Sequence, residues 1–384
     1  MNKTSIEWTH RPETGGAAGG FTWNPIRARL NICPGIERAN GTTILCGHRH
    51  DLAHKVCQAD GCLCDRKQTG TFCTRISPGC VHCYASTINI RFGNGLEFVV
   101  TNLANIEFFI DEEILEEPLR RKKPATIFVG DMFDLFHEAI PDEFLDTVFA
   151  IAALCQQHTL QFLTKRADRA LRYFTQCNGR NGTPMTSTRQ NGFLIEREMR
   201  IREATARYQA MCGFPSEPYS FPLPNVWLGV SVESQKYADE RTPLLLQTPA
   251  AVRFLSVEPM LEAIDMQPDS IDGMPTVNHL TGADWCDPAI PGVDWVICGG
   301  ESGPGARPFN LAWAESILEQ CKAAGVAFFM KQVGSRLVLG DITFPNGSPG
   351  KLMLPTKSSK GGDPSEWPEH LRVRQFPVEK LVTA

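Results

Sequence analysis

The residues of this chain best suited to chemistry are three cysteines on one short segment. They stand in Cys73-Thr74-Arg75-Ile76-Ser77-Pro78-Gly79-Cys80-Val81-His82-Cys83-Tyr84, a C-x6-C-x2-C pattern. Three thiolates on one loop can bind three irons of a 4Fe–4S cube and leave the fourth iron without a protein ligand. An open iron is what S-adenosylmethionine needs. Its amino and carboxylate groups chelate that iron, and an electron from the reduced cluster then cleaves the sulfonium bond to give a 5′-deoxyadenosyl radical. On spacing alone a zinc site is an equal reading, because a C-x2-C pair makes half of many tetrahedral zinc centres.

A second group, Cys33, Cys46, His48, His50, His54, Cys57, Cys62 and Cys64, lies upstream. Cys46, Cys57, Cys62 and Cys64 supply enough soft ligands for a zinc ion or an auxiliary iron–sulfur cluster, and the irregular spacing identifies neither. We read the group as a structural zinc site pinning down an insertion.

Any such chemistry must be held by a scaffold, and from about residue 125 onward the chain repeats one unit. A short β-branched or aromatic run is followed by a polar tip and an amphipathic stretch. The runs are 126–129, 160–163, 226–230, 252–255, 295–298 and 327–330, with an earlier strand near 21–24. Helices are expected over 141–156, opening with proline and acidic residues, and over 311–324, ended by Gly325. Doubly apolar strands alternating with helices predict an α/β fold with a parallel sheet, here a partial or closed (βα) TIM-like barrel. Position then favours the cluster over zinc, because a three-cysteine loop after the first barrel strand with no fixed fourth cysteine suits a site-differentiated cube. The expected barrel spans 1–340, with additions at 27–72 (rich in Cys and His), 176–222 and 265–292, and a C-terminal extension over 341–384.

Barrel chemistry gathers at the carboxyl ends of the strands. Those ends carry Asp131, Lys165 and Arg166, Ser231 and Glu233, Ser256 and Glu258, Glu301, and Lys331. Any one of them can equally be a helix cap or turn residue. Lys165, Arg166, Arg307 and Lys331 make the expected mouth locally basic, which suits a nucleotide or phosphate backbone unless they only pair with Asp131, Glu233, Glu258 and Glu301. The charged stretch 194–208 reads as a solvated helix face.

Composition sets the outer bounds. Net charge is −5, so no global positive field draws the chain onto nucleic acid. No apolar run is long enough to span a bilayer, and the first residues lack the apolar stretch of a secretory signal. Fourteen cysteines in a chain of 384 residues without such a signal read as metal ligands and buried small hydrophobes in a reducing cytoplasm.

Several stretches together resemble a known family. They are Thr4-Ser5-Ile6-Glu7-Trp8-Thr9, Thr22-Trp23-Asn24-Pro25, 77–85, 162–166, 226–233, 255–259, 299–308 and 328–332. The sequence is similar to the phage-associated three-cysteine-motif proteins, a domain of unknown function that resembles radical S-adenosylmethionine enzymes. That resemblance implies a partial (βα) barrel with the cluster loop after its first strand. It also implies a phage setting in a host-cell cytoplasm, an electron-donor protein as partner, and a radical enzyme; the phage setting and the basic mouth together point to nucleic-acid bases as its substrate. Cys73 rather than Cys33 is taken as the first ligand, because Gly70-Thr71-Phe72-Cys73-Thr74 resumes the family pattern after the 27–72 insertion. By the same resemblance Asp131 holds the methionine amino group. Ser231, Glu233, Ser256 and Glu258 become candidates for ribose and carboxylate contacts. His82 and Tyr84 flank the last cysteine and are placed to pack on cluster or adenine. The alternative from another class is a non-catalytic, zinc-stabilised nucleic-acid-binding or adaptor protein.

Overall fold

In the computed structural model, residues 1–10, 20–30, 36–37, 43–44, 69–175, 190–212, 219–267, 278–282, 291–343 and 348–377 are described. The β-branched and aromatic runs form strands, because such side chains pack well on a pleated surface covered on both faces. Strands β1 (Phe21–Trp23), β2 (Thr126–Val129), β3 (Thr159–Thr164), β4 (Val226–Ser231), β5 (Val252–Val257), β6 (Trp295–Gly299) and β7 (Ala327–Gln332) lie side by side in chain order. All of these neighbours pair in parallel.

The main helices are α1 (Tyr84–Phe92), α2 (Asp142–Leu154), α3 (Ala167–Thr175), α4 (Gln190–Cys212), α5 (Gln235–Gln247) and α6 (Leu311–Ala324). Helix α2 opens after Pro141 with Asp142 and Glu143 in its first turn, where carboxylates complement the helix dipole. The Asn310 side chain accepts from the Ala312 amide to begin α6, and Gly325 ends it at φ 69°, a conformation glycine adopts without strain.

Side chains alternate between two cores. Leu160, Phe162, Leu228, Val230, Leu255, Val296 and Phe328 pack with Leu145, Phe149, Ile317 and Leu318 of the helices. Trp227, Phe254, Trp295, Ile297 and Phe329 point the other way and enclose Trp8. The indole of Trp8 sits 4.7 Å from the Phe128 ring on β2 and 6.2 Å from the Trp295 ring on β6. Four strand steps would separate those strands by about 19 Å in a flat sheet, so the sheet curls around the indole.

Of the partial or closed barrel expected, the described residues show the large parallel sheet, in which β7 does not pair with β1. Each edge has another partner. Asn2 and Lys3 pair antiparallel with β1. On the far side the Met330 amide donates to the Val373 carbonyl at 2.8 Å, and the Gln375 amide donates to Phe328 at 2.9 Å. Phe376 then packs at a tilt against Trp295 and edge-on against Phe329. The C-terminal segment thereby covers an edge that would otherwise offer unpaired backbone groups.

A small antiparallel sheet supports the cysteine loop, with Ile26–Leu30 between Thr69–Gly70 and Ile106–Ile110. Phe72, fully buried against Phe98 and Phe108, anchors the chain one residue before Cys73. No helix among the described residues is long and apolar enough to cross a membrane.

Candidate functional site

The loop carrying the three cysteines crosses the carboxyl ends of the strands and turns through Pro78–Cys80 into α1. Cys73, Cys80 and Cys83 are all free and half-buried. Burial pushes the Cys73 thiol up to about 11, with the neighbouring Arg166 opposing the rise. Metal binding would displace that proton, since the ligating form is the thiolate. Among the described residues no three His, Cys, Asp or Glu side chains converge on the position of a single metal ion. A tetrahedral zinc draws its thiolates to about 2.3 Å from one point, whereas an iron–sulfur cube takes one thiolate on each of three irons. By donor chemistry alone, the three soft sulfurs of this loop suit such a cube as well as a zinc ion.

The amino-terminal half of the loop is gripped from below. Arg166, only 5% exposed, donates through Nη2 to the Thr74 carbonyl at 3.1 Å and to Thr74 Oγ1 at 2.8 Å. Its Nη1 reaches Asp134 Oδ2 at 3.1 Å and Cys73 Sγ at 3.6 Å. His137 closes the ring. Burial, helped by Arg166, lowers its pKa to about 4, so the imidazole is neutral near pH 7. Its Nδ1 accepts from the Ala139 amide, so the proton resides on Nε2, which donates to Thr74 Oγ1 at 3.0 Å.

The carboxyl-terminal half is clasped from two sides. Glu233, fully buried, accepts from the Gly79 amide at 3.2 Å and from Arg241 at 2.9 Å. Burial works to raise its pKa, but Lys165 and Arg241 outweigh that and hold the carboxyl below its usual range. A Cβ at Gly79 would lie 3.1 Å from Glu233 Oε1 and 3.3 Å from Lys165 Cε, so these side chains would have to give by a few tenths of an ångström to admit one. On the other flank Arg307 donates to the Pro78 carbonyl at 2.9 Å and pairs with Glu301 at 2.6 Å. His82 Nδ1 also lies 3.1 Å from Glu301. Burial would raise the Glu301 pKa, but bonds from Arg307 and His82 bring it down to about 2.

At the start of α1 the Tyr84 hydroxyl donates to the Asp131 carbonyl at 2.6 Å. The Asp131 carboxylate accepts from Asn24 at 2.7 Å, and burial raises its pKa. It does not cap the next long helix, which begins at Asp142. Lys165 donates to Ser231 Oγ at 3.1 Å, and Lys331 donates to both Glu258 oxygens at 2.7 and 2.8 Å. Ser256 is buried on β5 with its carbonyl accepting from Val232. The strand-end residues expected at one mouth are therefore brought together. The cations among them face internal acceptors instead of open solvent.

A family model described as Protein of unknown function (DUF5131) matches residues 67–354. The chain belongs to this family. The DUF5131 match begins just before the cysteine loop and takes in β2 to β7, while β1 lies ahead of it. No curated protein and no solved structure matches the chain.

Cys46, Cys57, Cys62 and Cys64, with Cys33, His48, His50 and His54, lie outside the described residues. Sequence reasoning missed Asp134 and His137, which act only through Arg166 and Thr74. The signal available was a polar pair inside Asp134-Leu135-Phe136-His137, just past a strand end.

Proposed function

We propose that this DUF5131 chain is a radical S-adenosylmethionine iron–sulfur enzyme in which Cys73, Cys80 and Cys83 hold a 4Fe–4S cluster. The observation that carries the reading is one loop presenting three free thiols at the carboxyl ends of a curled parallel sheet, tied down along both halves. We read that sheet as a partial barrel. When bound, the cluster supplies the electron that cleaves S-adenosylmethionine, so the group delivers radical chemistry.

The chain's own residues bind and orient. Asp131 presents a carboxylate with one oxygen fixed by Asn24. Each carboxylate oxygen has two acceptor positions, so Asp131 retains capacity for an ammonium such as the methionine amino group. Tyr84 locks the Asp131 backbone to the start of α1, coupling this acceptor to the loop that carries Cys83. Arg166, Arg307 and Lys331 are each neutralised by a carboxylate, and Lys165 lies beside Glu233. They hold the loop and the strand ends together, so the proposal extends to the cofactor and not to a nucleic-acid substrate.

Anaerobic purification tests the reading. The expected product is a brown protein with about four irons per chain that releases 5′-deoxyadenosine from S-adenosylmethionine under dithionite. A colourless protein holding zinc alone overturns it and leaves the zinc-stabilised adaptor.

A further inference from the structure

We infer that Arg166 is a positioning residue for the first cluster thiolate and that its hydrogen bond to Cys73 raises the reduction potential of the cluster; this rests on the cluster reading above. Three observations converge. Arg166 Nη1 lies 3.6 Å from Cys73 Sγ. The guanidinium is held in place, because Nη1 also bonds Asp134 and Nη2 bonds two oxygens of Thr74. Asp134 is itself fixed, accepting from Thr164 Oγ1 at 2.7 Å, the Phe136 amide at 3.0 Å and the Lys165 amide at 3.1 Å.

The chemistry follows from charge. Reduction adds one electron to a cluster whose sulfurs already carry negative charge. A buried N–H donor on a ligating sulfur favours the more negative state, and although Asp134 offsets the net charge of the guanidinium, the donated hydrogen bond makes the electron easier to accept. Arg166 is the only arginine among the described residues with a hydrogen bond to one of the three thiols. A lysine there would keep the charge but lose the planar fork that reaches Cys73, Thr74 and Asp134 together.

The test compares reduction potentials, measured by anaerobic titration with dithionite and followed by the cluster's electron paramagnetic resonance signal. Wild type, Arg166→Gln, Arg166→Lys and Arg172→Gln are used. Arg172 pairs with exposed Glu138 and Asp168 on α3, so it controls for loss of one positive charge away from the thiols. The potential is expected to become more negative in Arg166→Gln, to fall less in Arg166→Lys, and to stay unchanged in Arg172→Gln. An iron-loaded Arg166→Gln with the wild-type potential overturns the role of Arg166 while leaving the cluster intact. Absence of iron from wild type overturns the cluster reading and this inference together. If Arg166→Gln fails to fold, Arg166→Lys decides, and a wild-type potential in that variant refutes a role for the fork.

Discussion

Replacing Arg197 with methionine should cost about 3 kcal/mol of stability. Arg197 lies on α4 with its side chain 0% exposed. It donates to Asp146 Oδ1 and to the Tyr173 carbonyl, both at 2.7 Å, and to Asp142 Oδ2 at 2.8 Å. These bonds tie α4 to α2 and α3. Removing one partner of a buried ion pair typically costs about 3–5 kcal/mol, because the other charge is left uncompensated. Asp142 keeps Arg169 as a partner and its side chain is 25% exposed, so the stranded charge is Asp146 at 8%. That places the loss at the lower end, equivalent to about 4 °C in thermal midpoint for a chain of this size.

The pH dependence has a definite sign. Burial already raises the Asp146 pKa despite Arg197, and the variant raises it further. A carboxyl whose folded pKa exceeds its unfolded value penalises folding above the folded pKa and not below the unfolded one. The variant's deficit should therefore shrink as pH falls through the raised value. Denaturant melts followed by circular dichroism, at neutral and mildly acidic pH, read both effects. Adding Asp146→Asn to Arg197→Met should restore much of the loss. A deficit under about 1 kcal/mol, the size expected of a surface pair, or no rescue by Asp146→Asn, would refute the buried-pair argument.

Glu301→Gln should lower stability by about 2 kcal/mol near neutral pH, from the loss of charged hydrogen bonds to Arg307 and His82. Because the Glu301 pKa is depressed to about 2, that contribution is present above the ordinary glutamate range and is lost as pH falls toward about 2; thermal midpoints of both proteins should converge on acidification. Gly79→Val should displace the loop from Glu233 and Lys165, and iron retained after desalting should fall severalfold while the melting temperature changes little; full iron retention would show that the close approach is dispensable. Asp131→Asn keeps an acceptor for Asn24 but removes the charge offered to an ammonium. It should weaken S-adenosylmethionine binding about tenfold, or about 1.4 kcal/mol, as measured by calorimetry on iron-loaded protein.

Local pattern made the strands, the helices α2 and α6 and the three-cysteine loop legible, because each is announced by neighbouring residues. Runs such as Val226-Trp227-Leu228 declare a strand buried on both faces, and Pro141 and Gly325 mark helix ends through backbone geometry that proline and glycine favour. The residues converging at the strand ends were legible for the same reason, since parallel strands of one sheet deliver their carboxyl ends to one side. Partner choice was not. The stretch around Arg197 reads as a solvated face, yet Asp142 and Asp146, some 50 residues away in sequence, draw its guanidinium wholly inside. The pairing of Lys331 with Glu258 and of Arg307 with Glu301 was one of two readings open at the strand ends, whereas nothing in the sequence marked Asp134 as the partner of Arg166. Whether the sheet closes was also a tertiary decision, because it depends on what reaches its edges, and here residues 2–3 and 373–375 arrive there. The sequence by itself determined which segments are strands and which three cysteines share one loop. Only the folded chain decided which charges neutralise one another, since Coulomb attraction depends on distance in space and not along the chain.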